Sequence, residues 1–148
     1  MTTNTPILHP VAICQVMINF GAAHGVDKAT CLSGTGISED KLAEEEAFIE
    51  RAQELRLIEN LILALPDEPA LGFKLGLQYN IATFGVWGFA LRTCRTLRDA
   101  ISVALRYLPL STAYCKIRKI EFAGHFGVEF EPETIPSQVR QFLLERDM

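Results

Sequence analysis

The segment Ile120–Phe130, with the sequence IEFAGHFGVEF, is the best guide to the fold class of this 148-residue chain. Apolar residues alternate with polar or small ones on both sides of Gly124-His125, the pattern of two antiparallel strands joined by a tight turn. A three-residue turn fits as well as a two-residue turn. Arg118-Lys119 interrupts the alternation upstream and predicts a β-bulge. Five large apolar residues are expected on inward positions of this hairpin: Ile120, Phe122, Phe126, Val128 and Phe130.

Helical patterns occupy the chain on both sides of the hairpin. Apolar residues recur at helical spacing, and the residues that start and stop helices punctuate the pattern. The fold class is therefore α+β and mostly α, with several short-to-medium helices followed by an antiparallel β-hairpin and a C-terminal helix. The predicted helices span residues 10–24, 28–32, 39–43, 48–65, 70–79, a short one ending near 94, 97–108 and 137–146.

Helix caps and apolar stripes refine this picture. Asp27, Ser38 and Thr96 are expected to cap the helices that follow them. Gly72 and Gly76 lie one turn apart, which predicts close approach of a second helix. The helices 48–65 and 97–108 are each expected to pack an apolar stripe against the core. The polar residues of the first helix, including Glu54, are expected to lie on its other faces. The first stripe is Leu55, Ile58, Ile62 and Leu65, and the second is Leu97, Ile101, Leu105 and Leu108. On the second helix, Arg98, Ser102 and Arg106 are expected to be exposed to solvent.

Composition limits the function classes. The apolar content of 49% excludes a disordered chain, and the net charge of −4 with a pI near 5.4 argues against direct nucleic-acid binding. The four cysteines show no paired spacing, so we expect reduced thiols and a cytoplasmic protein. No apolar run approaches the roughly 18 residues that span a bilayer, which predicts no membrane partner.

Residues that carry chemistry are scarce. His9, His24 and His125 lie in a lead-in, at a helix end and in a turn, without metal-ligand spacing, so surface or capping roles are expected. The pattern Gly34-Thr35-Gly36 lacks the third glycine of a dinucleotide motif and reads as a helix stop. The run Glu44–Glu46 reads as a solvated loop. We therefore predict no catalytic residue, no metal and no cofactor.

Aromatic residues and arginines concentrate in the segment Tyr79–Tyr107. Apolar walls with a few polar anchors are typical of small-molecule pockets, and arginine suits a carboxylate. The residues alone favour a structural interpretation over a ligand pocket: the aromatic side chains belong to the core and the arginines lie on the surface.

The chain is predicted to form one domain. Residues 1–8 are expected to be a flexible lead-in and residues 9–148 the domain itself. A two-stranded hairpin is only marginally stable alone. Either it lies directly on the helices, or further strands belong to it. Because the helical pattern breaks off near Met148, we expect the domain to be truncated at its C-terminal end.

Several segments together resemble the N-terminal domain of AraC-family transcription regulators, often labelled an arabinose-binding domain. The likeness runs from about Leu8 to Met148 and is carried by the order and spacing of its motifs. These are LSGTGI (32–37), QELR (53–56), LGFKLGLQY (71–79), FGVWGFAL (84–91), TLRDAI (96–101) and RYL (106–108).

The resemblance implies a sensing domain that binds a small-molecule effector, such as an amino acid or another metabolite. It also implies a homodimer, and DNA contacts made only through a C-terminal helix-turn-helix region that this chain lacks. For the ligand site we expect Trp87, Phe89, Arg92 and Tyr107. The alternative is a pure dimerisation module without a ligand, using the Gly72/Gly76 helix or a hairpin edge as its contact surface.

Overall fold

The computed structural model describes residues 7–132 and 135–148, and it confirms the mostly helical α+β class. Within those residues, eight α-helices accompany two antiparallel sheets of two strands each. The elements are β1 (Leu8–Pro10), α1 (Ala12–Ala23), α2 (Lys28–Leu32), α3 (Glu39–Ala43), β2 (Phe48–Glu50), α4 (Arg51–Ala64), α5 (Leu71–Gly76), α6 (Gly85–Arg92), α7 (Leu97–Arg106), β3 (Lys116–Phe122), β4 (His125–Glu131) and α8 (Ser137–Asp147). Short 3-10 turns cover Ile81–Phe84 and Leu108–Leu110.

The sheet formed by β1 and β2 was not expected from the sequence. Both strands have three residues, and His9 pairs with Ile49 at the centre. Pro10 and Phe48 therefore belong to strands, and the predictions that they begin helices were wrong. Three residues are too few to display an alternating pattern. Of the predicted lead-in, residues 1–6 lie outside the described residues, and Leu8 begins β1.

The core is built around α1 and α4. Cys14 and Met17 of α1 meet Leu57, Ile58 and Leu61 of α4 in one buried cluster. The buried stripe of α4 is rotated from the predicted one, because its fully buried positions are Glu54, Leu57, Ile58 and Leu61. The residues at 55, 62 and 65 are only partly buried. A carboxylate on the buried face of a helix needs partners, and the candidate site supplies them.

The predicted caps of the short helices are confirmed. The side chain of Asp27 accepts a hydrogen bond from the backbone N–H of Thr30, and Ser38 accepts one from Lys41. Thr96 caps α7 in the same way through the N–H of Asp99. Each cap satisfies a backbone donor that the first helical turn leaves free.

Helices α5 and α8 approach closely where the two glycines lie. A Cβ atom on Gly72 would come within 2.0 Å of the carbonyl oxygen of Phe142, and one on Gly76 within 2.9 Å of that of Arg146. The predicted close approach is therefore confirmed, and the partner is α8. The buried residues of α8 include Val139 and Leu143.

The hairpin differs from its prediction in two respects. The register runs unbroken from Lys116 opposite Glu131 to Phe122 opposite His125, so the predicted bulge is absent from these strands. The turn has two residues, Ala123 and Gly124, both with positive φ. The five apolar residues do not share one face. Ile120 and Phe122 lie on the face opposite to that of Phe126, Val128 and Phe130, because directly paired residues point the same way.

On helix α7, the side chains of Arg98, Ser102 and Arg106 are exposed to solvent, as predicted. Its first residue, Leu97, is 76% exposed, so the prediction that it faces the core was wrong. Leu97 lies at the N-terminus of α7, where Arg98 forms an ion pair with Glu121 near the end of β3. All four cysteines are free thiols. None of the helices in the described ranges is long and apolar enough to cross a membrane.

Candidate functional site

A cluster of charged side chains is buried between β1, α4 and α8. Glu54 and His9 have no exposed side-chain surface, and Arg146 has 3%. One carboxylate oxygen of Glu54 contacts Nδ1 of His9 and accepts a hydrogen bond of 2.6 Å from the hydroxyl of Tyr114. Its other oxygen accepts a hydrogen bond of 2.7 Å from Nη1 of Arg146. The prediction that His9 has a surface or capping role was therefore wrong.

Arg146 is bound on every side by acceptors. Its Nε donates to Oδ1 of Asp147 over 2.8 Å, and its Nη2 donates to the carbonyl oxygen of Thr112 over 3.1 Å. With Nη1 held by Glu54, the guanidinium lies between two carboxylates. This arrangement compensates the buried positive charge and ties the end of α8 to α4.

The ionisation of this cluster follows from burial and charge. Burial raises the pKa of Glu54, but the Arg146 charge and the hydrogen bonds from His9 and Tyr114 outweigh it, so the net pKa lies below the ordinary value. Burial is also the largest influence on Asp147, and here it prevails over Arg146 and a hydrogen bond from the backbone of Tyr114, so the pKa of Asp147 is raised.

A cavity of about 450 Å³ lies beside the charged cluster, between α6, α7, the hairpin and the ends of α5 and α8. Its volume falls within the range typical of small-molecule sites, roughly 300–1,000 Å³. Most of its walls are apolar. The lining comprises Gly76, Tyr79, Asn80, Ile81, Phe84, Trp87, Leu91, Ile101, Ala104, Leu105, Leu108, Ser111, Thr112, Ala113, Ile117, Val128, Phe130, Arg146 and Asp147.

One end of the cavity is polar. Among the described residues, three buried side-chain atoms have no hydrogen-bond partner: Tyr79 Oη and Asp147 Oδ2, whose residues line the cavity, and His9 Nε2, whose residue does not. Two other polar side chains of the lining, those of Ser111 and Trp87, already have hydrogen-bond partners. The hydroxyl of Ser111 donates to the carbonyl oxygen of Leu108 and accepts from the N–H of Ala113, and the indole N–H of Trp87 donates to the carbonyl oxygen of Ala104. Buried polar groups that no protein atom satisfies are the groups to which a ligand can bind.

Comparison with known proteins assigns the family. Residues 25–148 match the family described as the arabinose-binding domain of AraC transcription regulators, N-terminal. The chain belongs to this family. It is 32% identical over 142 residues to uncharacterised HTH-type transcriptional regulators of Mycobacterium tuberculosis and Mycobacterium bovis, covering 96% of this chain and 41% of each relative.

A third relative of this AraC-type domain is the ornithine utilization regulator of Pseudomonas aeruginosa. Identity is 28% over 103 residues, which cover 70% of this chain and 30% of that protein. The chain thus spans about two fifths of the length of the mycobacterial relatives and less of this one. The family is one of transcription regulators rather than of enzymes, as the sequence indicated.

The structure places only one of the four predicted ligand residues at the cavity. Trp87 lines the cavity, whereas Phe89, Arg92 and Tyr107 do not. Phe89 is 69% exposed, Tyr107 is 46% exposed, and Arg92 is exposed at the end of α6. Ligand contact by these four residues stays a prediction, and only Trp87 lies at the cavity of this AraC-type domain.

Sequence reasoning missed the polar end of the cavity, although a signal existed. Arg146 follows Val139, Phe142 and Leu143 at helical spacing, and Glu54 precedes Leu57, Ile58 and Leu61 in the same way. A charged residue that continues an apolar stripe lies on the buried face of its helix. One acid and one base in such positions, on two helices, indicate a buried pair.

Metal ligation has no support in the described parts of the chain. No group of three or more His, Cys, Asp or Glu side chains there could hold a metal ion.

Proposed function

We propose that this chain is the effector-sensing part of an AraC-type regulator and that the cavity beside Trp87 is its ligand site. The observation that carries the proposal is the combination of apolar walls with two unsatisfied buried groups, Tyr79 Oη and Asp147 Oδ2. Because the relatives are longer HTH-type regulators, DNA binding would belong to a helix-turn-helix region outside these residues. The acidic balance of the chain supports this division of roles.

Ligand binding can regulate only if the ligand binds two states of the protein with different affinity. The polar end of the cavity lies on α8, through Arg146 and Asp147, and Arg146 is held by Glu54 of α4. A ligand that contacts Asp147 therefore acts on a hydrogen-bond partner of Arg146. A ligand in the cavity would therefore act directly on the packing of α8.

The proposal is tested by thermal unfolding against a panel of sugars, amino acids, amines, alcohols and organic acids. Arabinose and ornithine belong in the panel because the family description and one relative name them. A compound that binds only the folded form adds about 2.7 kcal/mol at one hundred times its Kd. For a chain of this size we expect Tm to rise by roughly 5–10 °C.

Two variants of α7 show whether the compound occupies the cavity. Ala104→Phe fills it from the lining and should abolish the rise in Tm. Ser102→Phe places the same side chain on the exposed side of the same helix and should leave the rise intact. If no compound raises Tm, or if both variants respond like the unmodified chain, the cavity is not the effector site.

A dimerisation role is the second candidate, because large apolar side chains are exposed near the hairpin tip. Phe122 is 81% exposed and Leu97 is 76% exposed. The glycine side of α5 does not supply the contact surface, since α8 covers it. A Tm that falls on dilution, together with sedimentation as a dimer that Phe122→Ser disrupts, would favour this role.

A further inference from the structure

The polar end of the cavity offers acceptors rather than a free positive charge. Arg146, the cation of the lining, donates to Glu54, to Asp147 and to the carbonyl oxygen of Thr112. A ligand carboxylate or phosphate at this end would meet a guanidinium that two carboxylates already neutralise, and it would lie against Asp147. The site is therefore ill suited to an anion.

Two groups at this end remain to be satisfied. Oδ2 of Asp147 can only accept a hydrogen bond when the carboxyl is ionised, and the hydroxyl of Tyr79 can accept one as well as donate. The side chain of Asp147 is 11% exposed, so water satisfies little of its charge. The group that complements both is a hydrogen-bond donor with a positive charge, since it would also offset the second carboxylate around Arg146.

The remaining walls require an apolar body. Besides Trp87, aliphatic and aromatic side chains such as Ile101, Leu105 and Phe130 line the cavity. At about 30 Å³ for a water-sized group, 450 Å³ holds on the order of fifteen heavy atoms. A free sugar of that size would bury several hydroxyls against carbon, and each hydroxyl left unpaired weakens binding.

We propose that the effector is an amphipathic amine, whose ammonium group donates to Asp147 Oδ2 and Tyr79 Oη while its apolar body packs against Trp87. This inference rests on the proposed function and specifies its ligand class. An ammonium group at this position would supply the missing hydrogen-bond partner of Asp147 Oδ2, which is buried at the cavity wall. Burial raises the pKa of Asp147, and an ammonium group beside Oδ2 would lower it again.

The test compares head groups on one apolar chain. Octylamine, 1-octanol and octanoate are titrated into the 148-residue chain at neutral pH, with arabinose as a fourth ligand. Trp87 is the single tryptophan and lines the cavity, so its fluorescence reports occupancy. We expect octylamine to bind at least tenfold more tightly than octanol, and octanoate and arabinose to bind more weakly still.

Three variants locate the amine. Asp147→Asn should weaken octylamine by tenfold or more and remove its advantage over octanol, and Tyr79→Phe should weaken it less. Asp67→Asn removes the same charge from an exposed position and should change nothing. The comparison of ligands on the unmodified chain stands even if Asp147→Asn fails to fold.

The outcomes separate this inference from the proposed function. Octanoate or arabinose binding as tightly as octylamine, with no effect of Asp147→Asn, would overturn the amine assignment and leave the cavity as the effector site. Octylamine binding that survives Ala104→Phe would overturn it as well, because the amine would then lie elsewhere. A panel in which no compound raises Tm would remove both proposals.

Discussion

Replacing Glu54 with alanine is expected to lower the free energy of unfolding by about 3–5 kcal/mol, the usual cost of removing one partner from a buried ion pair. The carboxylate accepts from Tyr114 and Arg146 and contacts His9, so its loss removes an acceptor from three polar groups, of which the Tyr114 hydroxyl keeps the carbonyl oxygen of Arg51. Arg146 would keep Asp147 as its single carboxylate neighbour. Because domains are stable by only about 5–15 kcal/mol, urea unfolding should show a large fall in the midpoint.

The control lies on the same helix. Glu59 is 39% exposed and pairs with Arg56 at the surface. Glu59→Ala should change the free energy of unfolding by less than about 1 kcal/mol, since exposed ion pairs contribute little. If the variants at 54 and 59 lost equal stability, the buried cluster would not stabilise the fold as described.

The carboxylate of Glu54 should also make the free energy of unfolding depend on pH in the acid range. The folded pKa of Glu54 lies below the value of 4.5 expected for an unfolded glutamate. Its stabilisation is therefore complete above about pH 4.5 and is lost as the pH falls through the folded pKa. The stability difference between the unmodified chain and Glu54→Gln should be largest at neutral pH and shrink in acid. A difference that grew on acidification would contradict the direction given for Glu54.

The substitution Gly72→Ala is expected to destabilise the chain by about 1–3 kcal/mol or more, the typical cost of overpacking. Alanine is normally favoured over glycine inside a helix by about 0.5–1 kcal/mol, so helix propensity alone predicts the opposite sign. The added Cβ would come within 2.0 Å of the carbonyl oxygen of Phe142. A backbone atom cannot rotate away, so α5 and α8 would have to separate. Denaturant unfolding measures the change.

Gly127→Ala provides the matched control for this prediction. There an added Cβ would meet only the side chain of Ile120, at 3.4 Å, and Gly127 does not require a positive φ. We expect this variant to be neutral or slightly more stable. A Gly72→Ala chain at least as stable as the unmodified one would show that α5 and α8 do not pack as closely as described.

Local sequence signals predicted much of the fold. The caps at Asp27 and Ser38 depend on side chains that accept from the next helical turn, and the hairpin near Gly124 depends on a residue that readily adopts positive φ. Chain neighbours determine such features, so a single sequence shows them. The sheet of β1 and β2 escaped detection because its pairing links residues 8–10 to residues 48–50. Contacts over that separation leave no periodic pattern.

The candidate site was harder to predict for a related reason. Charged residues are normally assigned to the surface, so Glu54 was expected outside the core, although its spacing continued an apolar stripe. Glu54 and Arg146 are each buried only because the other is present, together with His9 and Asp147. Of the aromatic residues predicted near the ligand, Trp87 lines the cavity and Phe89 is exposed, and ligand contact by either stays a prediction.

Methyl NMR of the chain, with and without the compound that most raises Tm, tests most directly whether the cavity is the effector site. If the compound binds in the cavity, ligand contacts and shifted signals are expected at Ile101, Leu105 and Ile117, which line it, and unchanged signals at exposed Leu63 and Leu77. Shifts centred on Leu63 or Leu77, with the cavity methyl groups unchanged, would contradict binding in the cavity.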